Sequence, residues 1–311
     1  MSLVGRFFGS RDDVPGWACF FDAEGYRAFL AVLDAEMKRR GLAYELDEGI
    51  LRLPAPGPDP SEYGLLNLAQ LCHASPRGEW PSVVARHFDS TFRFSEESRE
   101  IDARARRFDD VRSLLKVRLY HPDYLRHMGP ERLVHRVPAP GLVETLVYDL
   151  PSSVSTVPRE HLGAWGRPEE ELFALGLANV RAEGLLEPRR FEVEGGAAFY
   201  ALAGDSFFTA SHALFLREYL GPASEHGALV AVPHRHAVLY HPIADMKVVP
   251  VLQSMIAVAF GMYQEGPGSI HPGLFWWRDG RMTDLPSRVR ARSIDFAPPE
   301  EFVALLNRLP E

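Results

Sequence analysis

Three times in its second half the chain runs a helix-like apolar period into a pair of strand-like segments, and this recurring order limits the folds open to it. The apolar run that begins at Pro168 and continues through Val180 precedes Arg190–Glu194 and Ala197–Ala203, which flank Gly195-Gly196, a pair suited to a tight hairpin turn. Phe208–Leu220 has helical spacing and stops at Gly221-Pro222, and strand patterns follow at Ala228–Val232 and Ala237–His241. A third helix is expected from Asp245 to Tyr263, with strands at His271–Trp277 and Arg281–Asp284 joined through Arg278-Asp279-Gly280. The same order occurs early in the chain. Tyr26, Phe29, Leu30, Leu33 and Met37 share one face of a helix over Ala23–Gly41, and Leu42–Leu46 and Ile50–Leu53 alternate around Asp47-Glu48-Gly49. A hairpin needs one face covered, and a helix supplies the cover. The expectation is a layered α+β fold with a mainly antiparallel sheet. The unit spacing of about 40 residues is too irregular for a solenoid, and a doubly wound fold would alternate its strands singly with helices.

Between these parts, Pro54, Pro56, Pro58 and Pro60 alternate with small or polar residues, which predicts an extended connector. Gly64–His73 and Trp80–Phe92 read as helices. Ser95–Leu115 reads as a charged helix in which Glu100–Arg104 and Asp102–Arg106 have i,i+4 spacing, so its charge run is a solvated face. Leu115–Tyr120 and Leu142–Leu150 read as strands and Pro299–Leu309 as a terminal helix. The chain thus divides into a helix–hairpin unit over 1–54, a mostly helical connecting region over 55–140 that ends in a strand, and an α+β domain over 141–311.

Charge narrows the function classes. The net charge is -8, whereas neutralising phosphates demands a basic face, so nucleic acid is not the expected partner. Two cysteines, Cys19 and Cys72, fit a reduced compartment better than a disulfide framework, and no basic stretch followed by an apolar run opens the chain. A cytoplasmic protein is expected. The charge-free stretch Val248–Tyr263 is shorter than the ~20 residues a membrane span needs and reads as a buried helix.

The densest collection of chemistry-bearing side chains is Gly227–His241, with His234, Arg235, His236 and His241. His234 and His236 are two apart, which on a strand directs both to one side, where they would suit zinc. His241 is an odd number of positions away and faces the other side. A third metal ligand would come from Asp205, His212 or His271. Gly204-Asp205-Ser206, between a strand and a helix, is similar to the nucleophile segment of the Gly-Asp-Ser-Leu hydrolases. Those enzymes carry the motif near the N-terminus and a late Asp-x-x-His, which this chain lacks. Asp205 and Ser206 therefore read as helix caps. The start of the Phe208 helix offers free N–H groups, and Arg235 from a neighbouring strand end makes an anion site there the alternative. Trp276-Trp277 places one ring on each side of a strand, which leaves a homo-oligomer open. Neither a phosphate-binding nor a dinucleotide glycine fingerprint is present.

Leu146-Val-Tyr-Asp-Leu-Pro, His161-Leu-Gly-Ala-Trp165-Gly-Arg-Pro, Ala178-Asn179-Val-Arg, Ala203-Gly-Asp205-Ser-Phe-Phe-Thr-Ala-Ser211 and Val230-Ala-Val-Pro233-His234-Arg235, with Leu68 and Val117-Arg118-Leu119 upstream, resemble the YtpQ-like bacterial proteins. The resemblance covers roughly residues 64–282. That family is a domain of unknown function, and the resemblance implies a cytoplasmic bacterial protein with no known cofactor and no catalytic residues to carry over. Where this chain has His236, the family more often has an aspartate. The expectation is a non-catalytic binding or regulatory module. The alternative is a metal- or anion-dependent enzyme built on Asp205, His212, His234, Arg235 and His236.

Overall fold

The computed structural model describes residues 14–54, 61–151, 153–221, 224–290 and 293–310, and it divides into two units, Met1–Phe92 and Arg93–Glu311. The boundaries expected at 54 and 140 fall inside these units. Residues 55–60, most of the expected proline connector, lie outside the described residues.

In the first unit, Asp22 caps α1 (Ala23–Arg39) by accepting a hydrogen bond from the Gly25 N–H at 2.6 Å, and Lys38 and Arg39 fill the last turn, where cations suit the helix dipole. Phe29, Leu33 and Met37 form its buried stripe, as the spacing predicts. Full burial of each such side chain contributes about 1.5–3 kcal/mol. β1 (Glu45–Asp47) and β2 (Ile50–Leu53) make the expected hairpin, with Gly49 at φ 79° in its turn. β3 (Ser61–Gly64) adds a further antiparallel strand on β2. Leu51 and Leu53 pack with α1, with α2 (Leu66–His73) and with the first turns of α3 (Trp80–Arg104). The two helices expected over Trp80–Phe92 and Ser95–Leu115 are one helix as far as Arg104, because no glycine or proline separates them. The short helix α4 (Phe108–Val111) follows.

In the second unit the described residues form three sheets, of four, six and two strands. β4 (Leu115–Tyr120) leads through α5 (Asp123–Met128) to β5 (His135–Ala139) and β6 (Leu142–Asp149), which lies between β4 and β5 and also pairs with β7 (Val154–Thr156). After α6 (Arg159–Trp165), α7 (Glu169–Arg181) lies on β4 and β6 at a glycine. A Cβ on Gly176 would stand 3.0 Å from the backbone carbon of Lys116 and 3.2 Å from Leu146 Cδ2.

The three hairpins expected in the second half share one sheet. β8 (Arg189–Glu192) and β9 (Ala198–Ala203), β10 (Ala228–Ala231) and β11 (Ala237–Pro242), and β12 (Leu274–Arg278) and β13 (Arg281–Leu285) are ordered β13-β12-β10-β11-β9-β8, antiparallel throughout. β10 is covered on both faces. Leu229 and Ala231 meet α8 (Val248–Glu265) through Val251, Met255 and Ile256, while Ala228 and Val230 join Leu119, Ala210 and Leu216 on the other side. A small hairpin, β14 (Ser287–Val289) and β15 (Ile294–Phe296), and α9 (Glu300–Leu306) close the unit. The fold is α+β with antiparallel sheets.

The helix expected over Phe208–Leu220 is instead a 3₁₀ segment, Thr209–Glu218, interrupted at Phe215 (φ -123°, ψ 37°). Its polar groups bond to neighbours. The Ala210 N–H donates to Arg235 O at 3.0 Å and Ser211 Oγ donates to Val117 O at 2.8 Å, bonds that compete with a regular i,i−4 ladder. Among the described residues no helix is long and apolar enough to cross a membrane.

Candidate functional site

The β10–β11 connection, residues 232–236, carries His234, Arg235 and His236. The strand-parity argument for the two histidines does not apply, because β10 ends at Ala231 and β11 begins at Ala237. Turn geometry sets their rings instead, with centroids 6.4 Å apart, and the His236 N–H donates to His234 Nδ1 at 3.2 Å. The connection is clamped from two sides. The Arg235 N–H donates to Gly268 O at 3.1 Å, and Arg235 O accepts the Ala210 N–H.

Arg235 Nε–H donates to His236 Nε2 at 2.8 Å. That bond leaves Nδ1 of His236 as the protonated nitrogen, which donates to Gly204 O at 3.0 Å. The chain Arg235–His236–Gly204 fixes the guanidinium against the turn that carries Asp205, Ser206 and Phe207. The Arg235 guanidinium lies 5.3 Å from the centroid of Phe207, and Arg118 of β4 lies 5.5 Å from the same ring and 4.7 Å from Tyr120. Tyr120 stacks on Tyr124 at 4.1 Å, and Thr156 holds the Tyr124 hydroxyl at 2.5 Å. An arginine laid on an aromatic face keeps its N–H edge available for an oxyanion. Among the described residues neither guanidinium has a carboxylate partner. Arg118 Nε is buried without a hydrogen-bond partner, and so is Thr145 Oγ1, directly across on β6.

Electrostatics follow from this packing. Burial and then the Arg118 charge pull Arg235 down to about 10, with Tyr120 opposing. Burial pushes His234 down to about 4, with His236 and Arg235 adding to it, and burial and Arg235 lower His236. At neutral pH the rings are uncharged and the guanidiniums are the local charges.

Of the other candidates, Asp205 is exposed and acts on His236 through its charge, while Ser206 Oγ accepts the Phe208 N–H at 3.1 Å. Ser206 Oγ also lies 3.4 Å from Glu183 Oε2, and Glu183 is bound to Lys116, whose Nζ holds Asp149 at 2.5 Å and stands 4.5 Å over the Phe208 ring. The neighbour of this serine is therefore a paired carboxylate. His212 sits apart from the cluster, buried on Phe215, with its Nδ1 hydrogen-bonded to the Tyr219 hydroxyl at 2.5 Å. His241 bonds Ala198 O at 2.7 Å and His271 Nδ1 accepts the Gly273 N–H at 3.1 Å. Among the described residues no three His, Cys, Asp or Glu side chains form a metal-holding group. Arg118 and Lys116 escape sequence reasoning because alternation in β4 marks them only as polar positions. The signal that reaches Arg118 is its place in the Val117-Arg118-Leu119 segment of the family resemblance.

Two surface depressions, about 330 Å³ beside Arg217, Ser224 and Trp277 and about 480 Å³ beside Glu131, Arg132 and Arg159, are lined by other residues. The arginine cluster is part-buried and borders solvent at Phe207. Beside it, Gly266 packs against His234, and a Cβ there would fall 2.1 Å from His234 Cδ2 and 2.7 Å from Met262 O. Gly266→Ala is expected to cost about 1–3 kcal/mol, the usual penalty for overpacking, read as a lower midpoint in thermal unfolding. An unchanged midpoint would show that His234 does not need the close approach.

No family model, curated protein or solved structure matches the chain.

Proposed function

We propose that this is a cytoplasmic, non-catalytic binding protein of the YtpQ-like family, whose ligand presents a small oxyanion of the phosphate or carboxylate kind to Arg118 and Arg235. The observation that carries this reading is that the two guanidiniums flank one phenylalanine, part-buried, with no carboxylate partner among the described residues. A buried charge without a counter-charge is costly, and bidentate oxyanion binding is what a stacked guanidinium offers. Phe207 is 36% exposed, so the cluster borders solvent. Three of the segments that carry the family resemblance, at Val117–Leu119, Ala203–Ser211 and Val230–Arg235, are the ones that contribute Arg118, Phe207 and Arg235 to this cluster. Unpaired Cys19 and Cys72 support a reduced compartment. The metal-dependent alternative has less support, since two guanidiniums beside the imidazoles oppose a dication.

Thermal unfolding with inorganic phosphate or sulfate, against chloride at matched ionic strength, tests the reading. An anion at ten times its Kd is expected to stabilise by about 1.4 kcal/mol, and Arg118→Met and Arg235→Met are each expected to abolish the response. The proposal fails if the wild type responds no more than to chloride, or if both variants respond as it does. Stabilisation by zinc that His234→Ala removes would favour the metal reading instead.

A further inference from the structure

The six-stranded sheet ends on β8, the sequence Arg189-Arg190-Phe191-Glu192, and all four residues are exposed. Phe191 is 46% exposed while stacked on Phe199 at 5.5 Å, so it extends the α8-side core to the sheet edge. Arg190 and Glu192 lie on the opposite face and pair with each other within the strand. The ladder phase shows which amides are free. The Val193 N–H donates to Ala197 O at 2.8 Å, so alternation turns the backbone groups of Phe191 and Arg189 toward β9 and those of Arg190 and Glu192 outward.

Charged residues usually guard an edge of this kind, but here they are self-complementary. In an antiparallel pair of β8 strands related by a two-fold axis normal to the sheet, facing residues must share a face. The pairing is then centred on a residue. Centring on Arg190 sets it against its own copy and places Glu192 opposite Pro188, which has no N–H to donate. Centring on Glu192 sets carboxylate against carboxylate. Centring on Phe191 places Arg190 opposite Glu192 of the second copy at both ends, with their outward backbone groups in register. It also places Phe191 on Phe191 at the closer, non-hydrogen-bonded spacing, where side chains meet best. We propose that β8 pairs with β8 of a second copy of this chain, centred on Phe191, and joins two sheets into one.

Light scattering and sedimentation velocity over a concentration series test this. The wild type is expected to show a reversible monomer–dimer equilibrium. Glu192→Arg and Arg190→Glu, each of which replaces two cross-copy attractions with repulsions, are expected to raise the dimer Kd at least about tenfold. The charge swap Arg190→Glu with Glu192→Arg keeps the pairing and is expected to restore the wild-type Kd. These positions are exposed, and an unchanged circular dichroism spectrum establishes that each variant folds. A wild type that stays monomeric at every concentration, single reversals that leave Kd unchanged, or a double swap that fails to recover dimerisation would each overturn the proposal.

Discussion

Lowering the pH from 7 to 5 is expected to cost the folded protein on the order of 3 kcal/mol. Burial pushes His212, His234 and His271 down to about 4, against an ordinary value of 6.5. A group whose folded value is depressed stabilises the fold above its unfolded value and loses that contribution as pH falls toward the folded one. The window for these three is therefore 6.5 down to about 4, in which the unfolded chain takes up protons that the fold refuses. Over the two units from 7 to 5 each histidine accounts for roughly 2 kcal/mol of loss. Glu144 works in the opposite sense and returns about 2 kcal/mol. Urea unfolding at several pH values measures the slope. His212→Gln, whose amide offers both a donor and an acceptor to the Tyr219 hydroxyl, is expected to flatten the slope by about one proton. His212 is the clearest position for this test because it is 3% exposed, so solvent screening does little to soften the shift. Equal unfolding free energies at pH 5 and 7 would refute the assignment of these imidazoles as buried and neutral.

Local signals in the chain made the hairpins and their covering helices legible. Gly49, Gly195 and Gly196 adopt the positive φ that a tight turn demands, and the stripe Phe29, Leu33, Met37 is buried as its spacing requires. Where non-local contacts decide, the sequence misleads or is silent. β5 contains Pro138, which argues against a strand, yet β5 is an edge of its sheet with a shifted register, where a missing N–H costs little. The Thr209–Glu218 segment has helical spacing, but bonds to Val117 and Arg235, distant in sequence, hold it as 3₁₀. The arginine cluster shows the same limit. Residues 234–236 stood out because three polar groups are adjacent, while Arg118 joins them from a strand more than a hundred positions earlier, and nothing in Leu115–Tyr120 says which ring will cover its face. Proximity along the chain likewise grouped His212 with Asp205, although His212 turns inward to Tyr219.

Glu144→Gln is expected to stabilise the protein by about 2–3 kcal/mol at pH 8 and to change it little at pH 5. Glu144 lies on the inward face of β6, between Leu142 and Leu146, at 8% exposure. Its cross-strand neighbour on β5 is Arg136, which lies 4.0 Å from the Phe173 ring of α7 and has a buried terminal nitrogen without a hydrogen-bond partner. Burial drives the carboxyl up to about 7, and the Arg136 charge offsets only part of that. A carboxyl raised in the fold contributes its stability below the unfolded value of 4.5 and loses it as pH rises through about 7, so at pH 8 the fold carries a buried charge that the unfolded chain solvates. Glutamine has the same shape without the charge, so it removes the penalty where there is one and leaves the acid state alone. If Arg136 were a full ion-pair partner, the sign would reverse: the substitution would destabilise at pH 8, because it would leave a buried guanidinium uncompensated. Urea unfolding of the two proteins at pH 5 and pH 8 separates these cases, since a gain confined to pH 8 requires a carboxyl held neutral by burial and a loss at pH 8 requires a working ion pair.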